Sequence, residues 1–340
     1  MNRNSVIAAA LSLTWSALAQ GGPPAPAASA APTPSPGEIV AAAPAGEWRA
    51  IPAGDLLVMD LAPDAKGKAR RVVIQLIPAP FSQGWVANIR RLAAAHWWDG
   101  TSINRVQDNY VVQWGDANGE DKARAKALPP GLATVPQSAY DTRLPADLKN
   151  RWENNAMSNL RRAMATDQTS QTAVSAVPRD AYAIWTSLSA GWPVASDLRG
   201  AMWPVHCYGM VGVGRNLSPD TGSGAELYTV IGTPPRHLDH NIALVGRVIE
   251  GIDLLSSLPR GTGALGFYET TGERVPIVSV RLGNEVAGLP AYQYLSTESE
   301  TFGRYADARA NRRDPFFIHP AGGADVCNIP VPVRRVPPAG

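Results

Sequence analysis

Apolar residues along the chain are grouped in short runs separated by charged or proline-rich breaks, a pattern typical of β-strands. The first two runs, at 56–61 and 71–76, predict two strands joined by a charged turn at 64–68. Residues 104–113 are strand-like on both sides of Asp108-Asn109, where we expect a turn. This first region is therefore predicted to consist mainly of strands.

One helix is expected to interrupt these strands. Pro78 and Pro80 end the second strand, and Ser82 is a candidate cap for the helix that follows. The apolar face of this helix is predicted from residues that recur at helical spacing, namely Trp85, Ile89, Leu92 and His96.

A second region, 203–282, is also dense in short apolar runs. It predicts strands at 205–213, 227–231, 242–248 and 276–282, and a short helix at 250–258. Several short strands with only two brief helices favour a closed β-barrel or a sandwich. The predicted fold class is mainly β.

Two segments outside these regions differ in character. Residues 117–200 are predicted to be a partly helical insertion, with loops and one amphipathic helix at 146–165. Residues 284–340 are predicted to be a C-terminal extension packed on the domain. Within it, a capping box at 297–300 precedes a helix with Phe302 and Tyr305, and a proline-rich extended strip follows.

The N-terminus has the pattern of a secretory signal. A short positive segment, an apolar stretch and the small-x-small sequence ending at Ala19 predict cleavage there, making 1–19 a signal peptide. The alternative is a buried or membrane-spanning helix, but the apolar run is shorter than the roughly 20 residues that a span needs. Residues 20–47 are rich in Pro and Ala and are predicted to be a linker. We therefore expect a periplasmic or secreted protein without a membrane span.

Charge and cysteine content narrow the function classes. The 340 residues carry a formal net charge of +2, so the chain lacks the excess of basic residues that would indicate a nucleic-acid partner. The two cysteines, Cys207 and Cys327, favour one disulfide in an oxidising compartment, and two buried thiols are the alternative.

Several stretches together carry a family resemblance. Residues 98–106 read WDGTSINRV and residues 110–116 read YVVQWGD; the others are NIRRL at 88–92, GSGAELY at 222–228, HLDH at 237–240 and VGRVIEG at 245–251. In this order they resemble the cyclophilin-type peptidyl-prolyl isomerases, whose signature is Tyr-Asp-Gly-Thr-x-Phe-His-Arg-Val followed by Phe-Met-x-Gln-Gly-Gly-Asp. The resemblance covers residues 55–116 and 203–282.

The resemblance implies a closed eight-stranded antiparallel barrel capped by two helices. This cyclophilin-like domain would span 48–283 and contain the insertion. The implied activity is cis/trans isomerisation of X–Pro bonds, with no metal, nucleotide or other cofactor.

The resemblance also implies roles for individual residues. Arg105 would donate to the prolyl nitrogen as the amide twists, and Gln113 would orient Arg105 and help to hold the substrate carbonyl. The substrate-binding positions implied are Tyr110, Val111, Gly214, Arg215, Glu226, Tyr228, His237, Leu238 and Ile242.

Three positions depart from the family pattern. His237 replaces the family's tryptophan, Ile242 aligns with its pocket histidine, and Asn104 replaces the histidine before the arginine. These departures favour an alternative function, a cyclophilin-like module that binds proline peptides or acts as a chaperone with little or no isomerase activity.

Other chemistries find little support in the sequence. His237, Asp239 and His240 lack further ligands at suitable spacing, so we predict no metal site. The chain has neither a strand–GxGxxG–helix unit nor a Gly-x-Ser-x-Gly elbow, which disfavours nucleotide binding and hydrolysis. We therefore expect an isomerase that acts, as a monomer, on proline-containing segments of unfolded or partly folded exported proteins.

Overall fold

The structure, a computed structural model, describes residues 33–143, 180–197, 199–314 and 316–337. The predicted signal segment 1–19 and the predicted helix at 146–165 lie outside these residues. The described residues from 34 onward form one compact unit. In the described part of the chain, no helix has both the length and the apolar character needed to cross a bilayer.

The strands are numbered in chain order. They are β1 Trp48–Ile51, β2 Leu56–Leu61, β3 Arg70–Leu76, β4 Ser102–Val106, β5 Val111–Gly115, β6 Thr142–Arg143, β7 Trp185–Ser189, β8 Trp192–Ser196, β9 Ala201–Pro204, β10 Met210–Val213, β11 Leu227–Val230, β12 Leu244–Glu250, β13 Val275–Leu282, β14 Tyr292–Leu295 and β15 Val333–Arg335. The α-helices are α1 Pro36–Ala41, α2 Gln83–Ala94, α3 Ile252–Ser256 and α4 Glu300–Ala310.

Eight of these strands close into an antiparallel barrel in the order β10-β11-β5-β4-β13-β2-β3-β12. Strands β2 and β3 are nearly all buried rather than alternating, because Leu56 and Val73 pack against Tyr292 of β14 in a cluster separate from the main core. The predicted mainly β fold with a closed eight-stranded barrel is confirmed.

Helix α2 packs its apolar face into the barrel core. Trp85, Ile89 and Leu92 are fully buried, as their spacing predicts. Two details differ from the prediction. The helix ends at Ala94, so His96 lies beyond it and is exposed. At the other end, the Ser82 hydroxyl makes no capping hydrogen bond, because Ser82 has a left-handed backbone with φ 54°.

The second predicted helix is shorter than expected, since α3 covers only 252–256, with Leu255 in the core.

The predicted strand at 205–213 is also shorter. Strand β9 ends at Pro204 and β10 begins at Met210, and the five residues between them follow a non-strand path. His206 and Cys207 are buried in this segment. Their tertiary partners, described below, hold the segment away from strand geometry.

The insertion contains a β-sheet that the sequence did not predict. Its strands pair in the order β6-β9-β8-β7, and β7 and β8 form a hairpin through Ala190 and Gly191. Both turn residues have positive φ, as a tight hairpin requires. The insertion is therefore not only helix and loop.

The last part of the predicted linker is folded. Ser35 and Glu38 form a capping box at the start of α1, and Ile39 and Val40 pack against a cluster that includes Phe302 of α4. Two apolar side chains and a tertiary partner are enough to order this Ala- and Pro-rich stretch. Within the predicted linker, residues 36–41 are thus helical and residues 45–47 form a single 3-10 turn.

The C-terminal extension contacts the barrel at several points. A three-stranded sheet joins β1, β14 and β15, and Arg335 Nε donates to Glu250 Oε2 over 2.8 Å. Helix α4 begins two residues later than predicted, because Ser299 is its N-cap and Thr297 Oγ1 instead accepts from Gly191 N. Cys207 and Cys327 form the predicted disulfide.

Candidate functional site

A cavity of about 670 Å³ opens beside strands β4, β5 and β11. Ten of the eleven residues that the sequence assigns to the site line it: Arg105, Tyr110, Val111, Gln113, Gly214, Arg215, Glu226, Tyr228, Leu238 and Ile242. They come from three strands and three connecting loops of two separate regions of the chain. The barrel pairing of β5 with both β4 and β11 brings them together.

Arg105 is held in place by several partners at once. Its Nη1 donates to Gln113 Oε1 over 3.2 Å, its Nε donates to the Leu265 carbonyl over 2.8 Å, and its Nη2 donates to Gln107. The guanidinium also lies 5.6 Å from the ring centre of Tyr110. Burial lowers the pKa of Arg105, but a guanidinium still keeps its charge at neutral pH.

Strand register places Gln113 opposite Arg105. The two residues are paired across β4 and β5, where the register shifts between Ile103 and Arg105. Because of this shift, both side chains emerge on the cavity side. Glu226, directly before β11, lies on the other side of Gln113, so Glu226, Gln113 and Arg105 form one polar row.

Glu226 is largely buried in this row. Burial raises the pKa of Glu226 to about 8, an effect that the hydrogen bond from Gln113 opposes. Asp116 and Glu120 add to the rise through their negative charge. The carboxyl group is therefore mostly neutral at pH 7 and acts there as a hydrogen-bonding group rather than as an anion.

An apolar floor lies next to the polar row. Val111, Tyr228 and Val230 form a buried cluster, and Tyr110, Leu238 and Ile242 pack against it. A ring-sized apolar group placed here would lie close to the Arg105 guanidinium, since Tyr110 contacts both.

The loop after β10 forms another wall. Gly214 N donates to the Glu226 carbonyl over 2.8 Å, and a Cβ atom at Gly214 would lie only 2.9 Å from Glu226 Cβ. Arg215 is held by the Asn241 and Asn216 carbonyls, at 3.0 and 2.7 Å. A glycine is needed here because the wall passes so close to β11.

His237 is the predicted site residue that does not line the cavity. It lies in the short turn Arg236–Leu238 with an exposed side chain, while the next residue, Leu238, faces the cavity. The structure therefore does not bring His237 together with the other predicted site residues. Asn104 is buried and donates to the Gly115 carbonyl over 3.1 Å, so it helps to join β4 and β5.

Several cavity residues escaped the sequence analysis. Phe267 lies 5.2 Å from the Arg105 guanidinium and pairs with Arg105 as an isolated bridge. The remaining ones include Trp97, Asp116, Glu120, Lys126 and Tyr268. Phe267 lies in a glycine-rich loop without strand or helix periodicity, so no local signal marks it. Among described residues, no three His, Cys, Asp or Glu side chains are grouped as a metal site.

A closed eight-stranded barrel with an arginine and a glutamine on adjacent strands beside an apolar floor is the arrangement of the cyclophilin class. The family description "Cyclophilin type peptidyl-prolyl cis-trans isomerase/CLD" matches residues 67–282, more than half of the chain, and the chain belongs to this family.

One solved structure supports the fold. The cyclophilin AquaCyp293 from Hirschia baltica is 18% identical, with a TM-score of 0.57 over 84% of this chain and 92% of that one. A cyclophilin type peptidyl-prolyl cis-trans isomerase from Cryptosporidium parvum is 10% identical, with a TM-score of 0.37 over 67% of this chain and 97% of that one. No curated protein sequence matches significantly.

Proposed function

We propose that this chain is a peptidyl-prolyl cis-trans isomerase that acts on proline-containing segments of exported proteins, with Arg105 as the catalytic residue. Family membership supports isomerase activity in general. The observation that carries the assignment is the Arg105 guanidinium, oriented by Gln113 and Leu265 beside an apolar floor.

The chemistry needs little more than this arrangement. Rotation about an X–Pro bond disrupts amide resonance, against a barrier of about 18–20 kcal/mol. As the amide twists, the prolyl nitrogen becomes pyramidal and its lone pair becomes available to a hydrogen-bond donor. A fixed guanidinium donates to that lone pair in the transition state and not in the planar ground state, which lowers the barrier.

Each wall has a part in this mechanism. The apolar floor of Val111, Leu238, Ile242 and the Tyr228 ring receives the pyrrolidine ring. Gln113 keeps the guanidinium in place and offers its amide to the substrate carbonyl. No proton or covalent bond has to be transferred, so the site works without a nucleophile.

The experiment compares isomerisation of a short proline peptide, measured by NMR exchange, in the wild type, Arg105→Ala and Arg199→Ala. Arg199 is exposed and does not line the cavity, so Arg199→Ala is a control that removes one arginine away from the site. We expect Arg105→Ala to lower kcat/KM at least about tenfold, equivalent to about 1.4 kcal/mol of transition-state stabilisation. An equal effect of both substitutions would contradict the assignment of Arg105.

The alternative is a module that binds proline peptides without turning them over. Two observations favour it: Ile242 lines the cavity at the position of the family's pocket histidine, and the His237 side chain is outside the cavity. Peptide binding without any acceleration of exchange in the wild type would support this second function.

Export is part of the proposal. The predicted signal at 1–19 and the single disulfide suit an oxidising compartment outside the cytosol. N-terminal sequencing of the mature protein from a periplasmic fraction is expected to begin at Gln20. A protein that retains residues 1–19 in the soluble cell fraction would contradict export.

A further inference from the structure

A buried row of hydrogen bonds runs from the cavity floor toward the insertion. Tyr228 lines the cavity, and its hydroxyl lies 2.9 Å from Nε2 of His206, a residue that is fully buried and does not line the cavity. The other ring nitrogen of His206, Nδ1, lies 2.8 Å from Asp239 Oδ1. None of these contacts was predicted from the sequence.

The direction of each hydrogen bond follows from Asp239. Its Oδ1 is also the acceptor for the His206 backbone N–H, at 3.1 Å, and an ionised carboxylate only accepts. Nδ1 of His206 must therefore carry the proton. Burial lowers the pKa of His206 against the opposing effect of Asp239, so the ring is neutral, Nε2 is unprotonated, and the Tyr228 hydroxyl donates to it.

The charge of Asp239 is itself compensated. Arg236 Nε donates to Asp239 Oδ2 over 2.7 Å, and the two terminal nitrogens of Arg236 donate to Asp180 at 2.6 and 3.0 Å. The side chains of His206, Asp239, Arg236 and Asp180 are all between 1% and 5% exposed. A row this deeply buried tolerates few alternative arrangements, because any broken bond leaves a buried polar group unpaired.

The row joins two walls of the cavity. Tyr228 belongs to strand β11, whereas Asp239 lies in the loop that supplies Leu238 and Ile242. His206 is the only described side chain bonded to both Tyr228 and Asp239. The backbone leaves space for this contact, since a Cβ atom at Gly212 would lie 2.3 Å from the Tyr228 hydroxyl oxygen.

We propose that His206 is a positioning residue for proline binding, which acts by keeping the Tyr228 hydroxyl bonded beneath the floor of the cavity. With this bond in place, Tyr228 offers the ring of proline an apolar surface. Without it, the hydroxyl is a buried donor with no partner, and the ring must move toward the cavity, where water and substrate offer acceptors. The inference rests on the proposed function, because it assumes that this floor receives proline.

The test replaces His206 with asparagine or glutamine, whose side-chain amides imitate the two nitrogen positions of the histidine ring. In His206→Asn the amide stands near Nδ1 and keeps the bond to Asp239 but does not reach Tyr228, whereas in His206→Gln it reaches the position of Nε2. We expect His206→Asn to raise KM and lower kcat/KM about fivefold, and His206→Gln to recover most of that loss. Added to Tyr228→Phe, which has no hydroxyl to hold, His206→Asn is expected to change kcat/KM less than twofold.

A purely structural role of His206 gives a different result. In that case both His206 variants lower kcat/KM together with the free energy of unfolding, and His206→Asn is as harmful in the Tyr228→Phe background as in the wild type. Either outcome overturns the proposal.

Two further readouts do not depend on turnover. Nitrogen-15 NMR of the wild-type imidazole is expected to show a neutral His206 protonated at Nδ1, and protonation at Nε2 overturns the proposal even if the variants fail to fold. If the wild type does not accelerate exchange, the proposed function fails. The role of His206 is then tested by the dissociation constant of the proline peptide for the same variants. His206→Asn is expected to weaken binding about fivefold in the wild-type background and not in the Tyr228→Phe background.

Discussion

The carboxyl group of Glu226 lies directly against the backbone of Gly115, where a Cβ atom would come within 2.2 Å of Glu226 Oε1. This close approach shields much of the carboxyl group from water, although Glu226 lines the cavity. A titratable group is thereby built into the row that orients Arg105.

Glu226 should make stability depend on pH. Its pKa is raised from 4.5 to about 8 by burial, so the folded state holds this proton more tightly than the unfolded state. The associated stability is fully present below pH 4.5 and is lost as the pH rises toward about 8. Urea titrations from pH 4.5 to 8.5 are expected to show the wild type losing a few kcal/mol, at about 1.4 kcal/mol per pKa unit, relative to Glu226→Gln. Parallel stability curves for the two proteins would contradict a raised pKa.

Substitution of Gly212 should displace Tyr228. A Cβ atom there would lie 2.3 Å from both Cζ and the hydroxyl oxygen of Tyr228, too close for the ring to stay in place. We expect Gly212→Ala to lower the affinity for a proline peptide at least about tenfold, or about 1.4 kcal/mol, measured by NMR titration. The control is Gly303→Ala, because Gly303 is exposed in α4 with nothing near the position of its Cβ. Unchanged affinity in Gly212→Ala would show that the ring can move without affecting the site.

Phe267 should help to hold Arg105. Its ring lies 5.2 Å from the guanidinium, and a cation–π contact at a partly exposed site contributes about 0.5–1 kcal/mol. Phe267→Leu is therefore expected to lower kcat/KM about two- to fivefold. Phe267→Tyr keeps the aromatic face and should retain most of the activity. If the leucine and tyrosine variants behave alike, the ring contributes only through its size.

The ion pair between Asp180 and Arg236 should matter for stability. Both side chains are at most 5% exposed, and Asp180→Asn would leave the Arg236 charge only partly compensated. Removal of one member of a buried pair costs about 3 kcal/mol or more. Asp121→Asn, which breaks the exposed pair with Arg124, provides the control and should have little measurable effect. Equal urea midpoints for the two variants would contradict this prediction.

The disulfide between Cys207 and Cys327 should be a major source of stability. It closes a loop with a sequence separation of 120 residues, and a loop of about that length is expected to contribute about 4–5 kcal/mol through the unfolded state. Mass spectrometry after alkylation should show no labelled thiol without reductant and two after reduction. The double Cys→Ser variant should unfold at a much lower urea concentration. Two labelled thiols in the untreated protein would exclude the bond.

The sequence by itself determined the mainly β fold class and, through the family resemblance, the barrel and most of its site. Short apolar runs, set by burial in the adjacent core, form strands β2, β3, β5 and β11. The local pattern of the sequence was therefore sufficient to predict these four strands. The stretches that resemble the family identified ten of the cavity residues, and strand register places Arg105 opposite Gln113 among them.

Only the tertiary structure decided the rest. The sheet of the insertion, helix α1 and strand β15 have weak local patterns and form because distant partners bury them, as Phe302 does for Ile39. The exposed position of His237, the raised pKa of Glu226 and the bond between Tyr228 and His206 likewise depend on neighbours far away in the chain. Periodicity reports which face of an element is buried, but the partner of a buried polar group is chosen by contacts between distant segments.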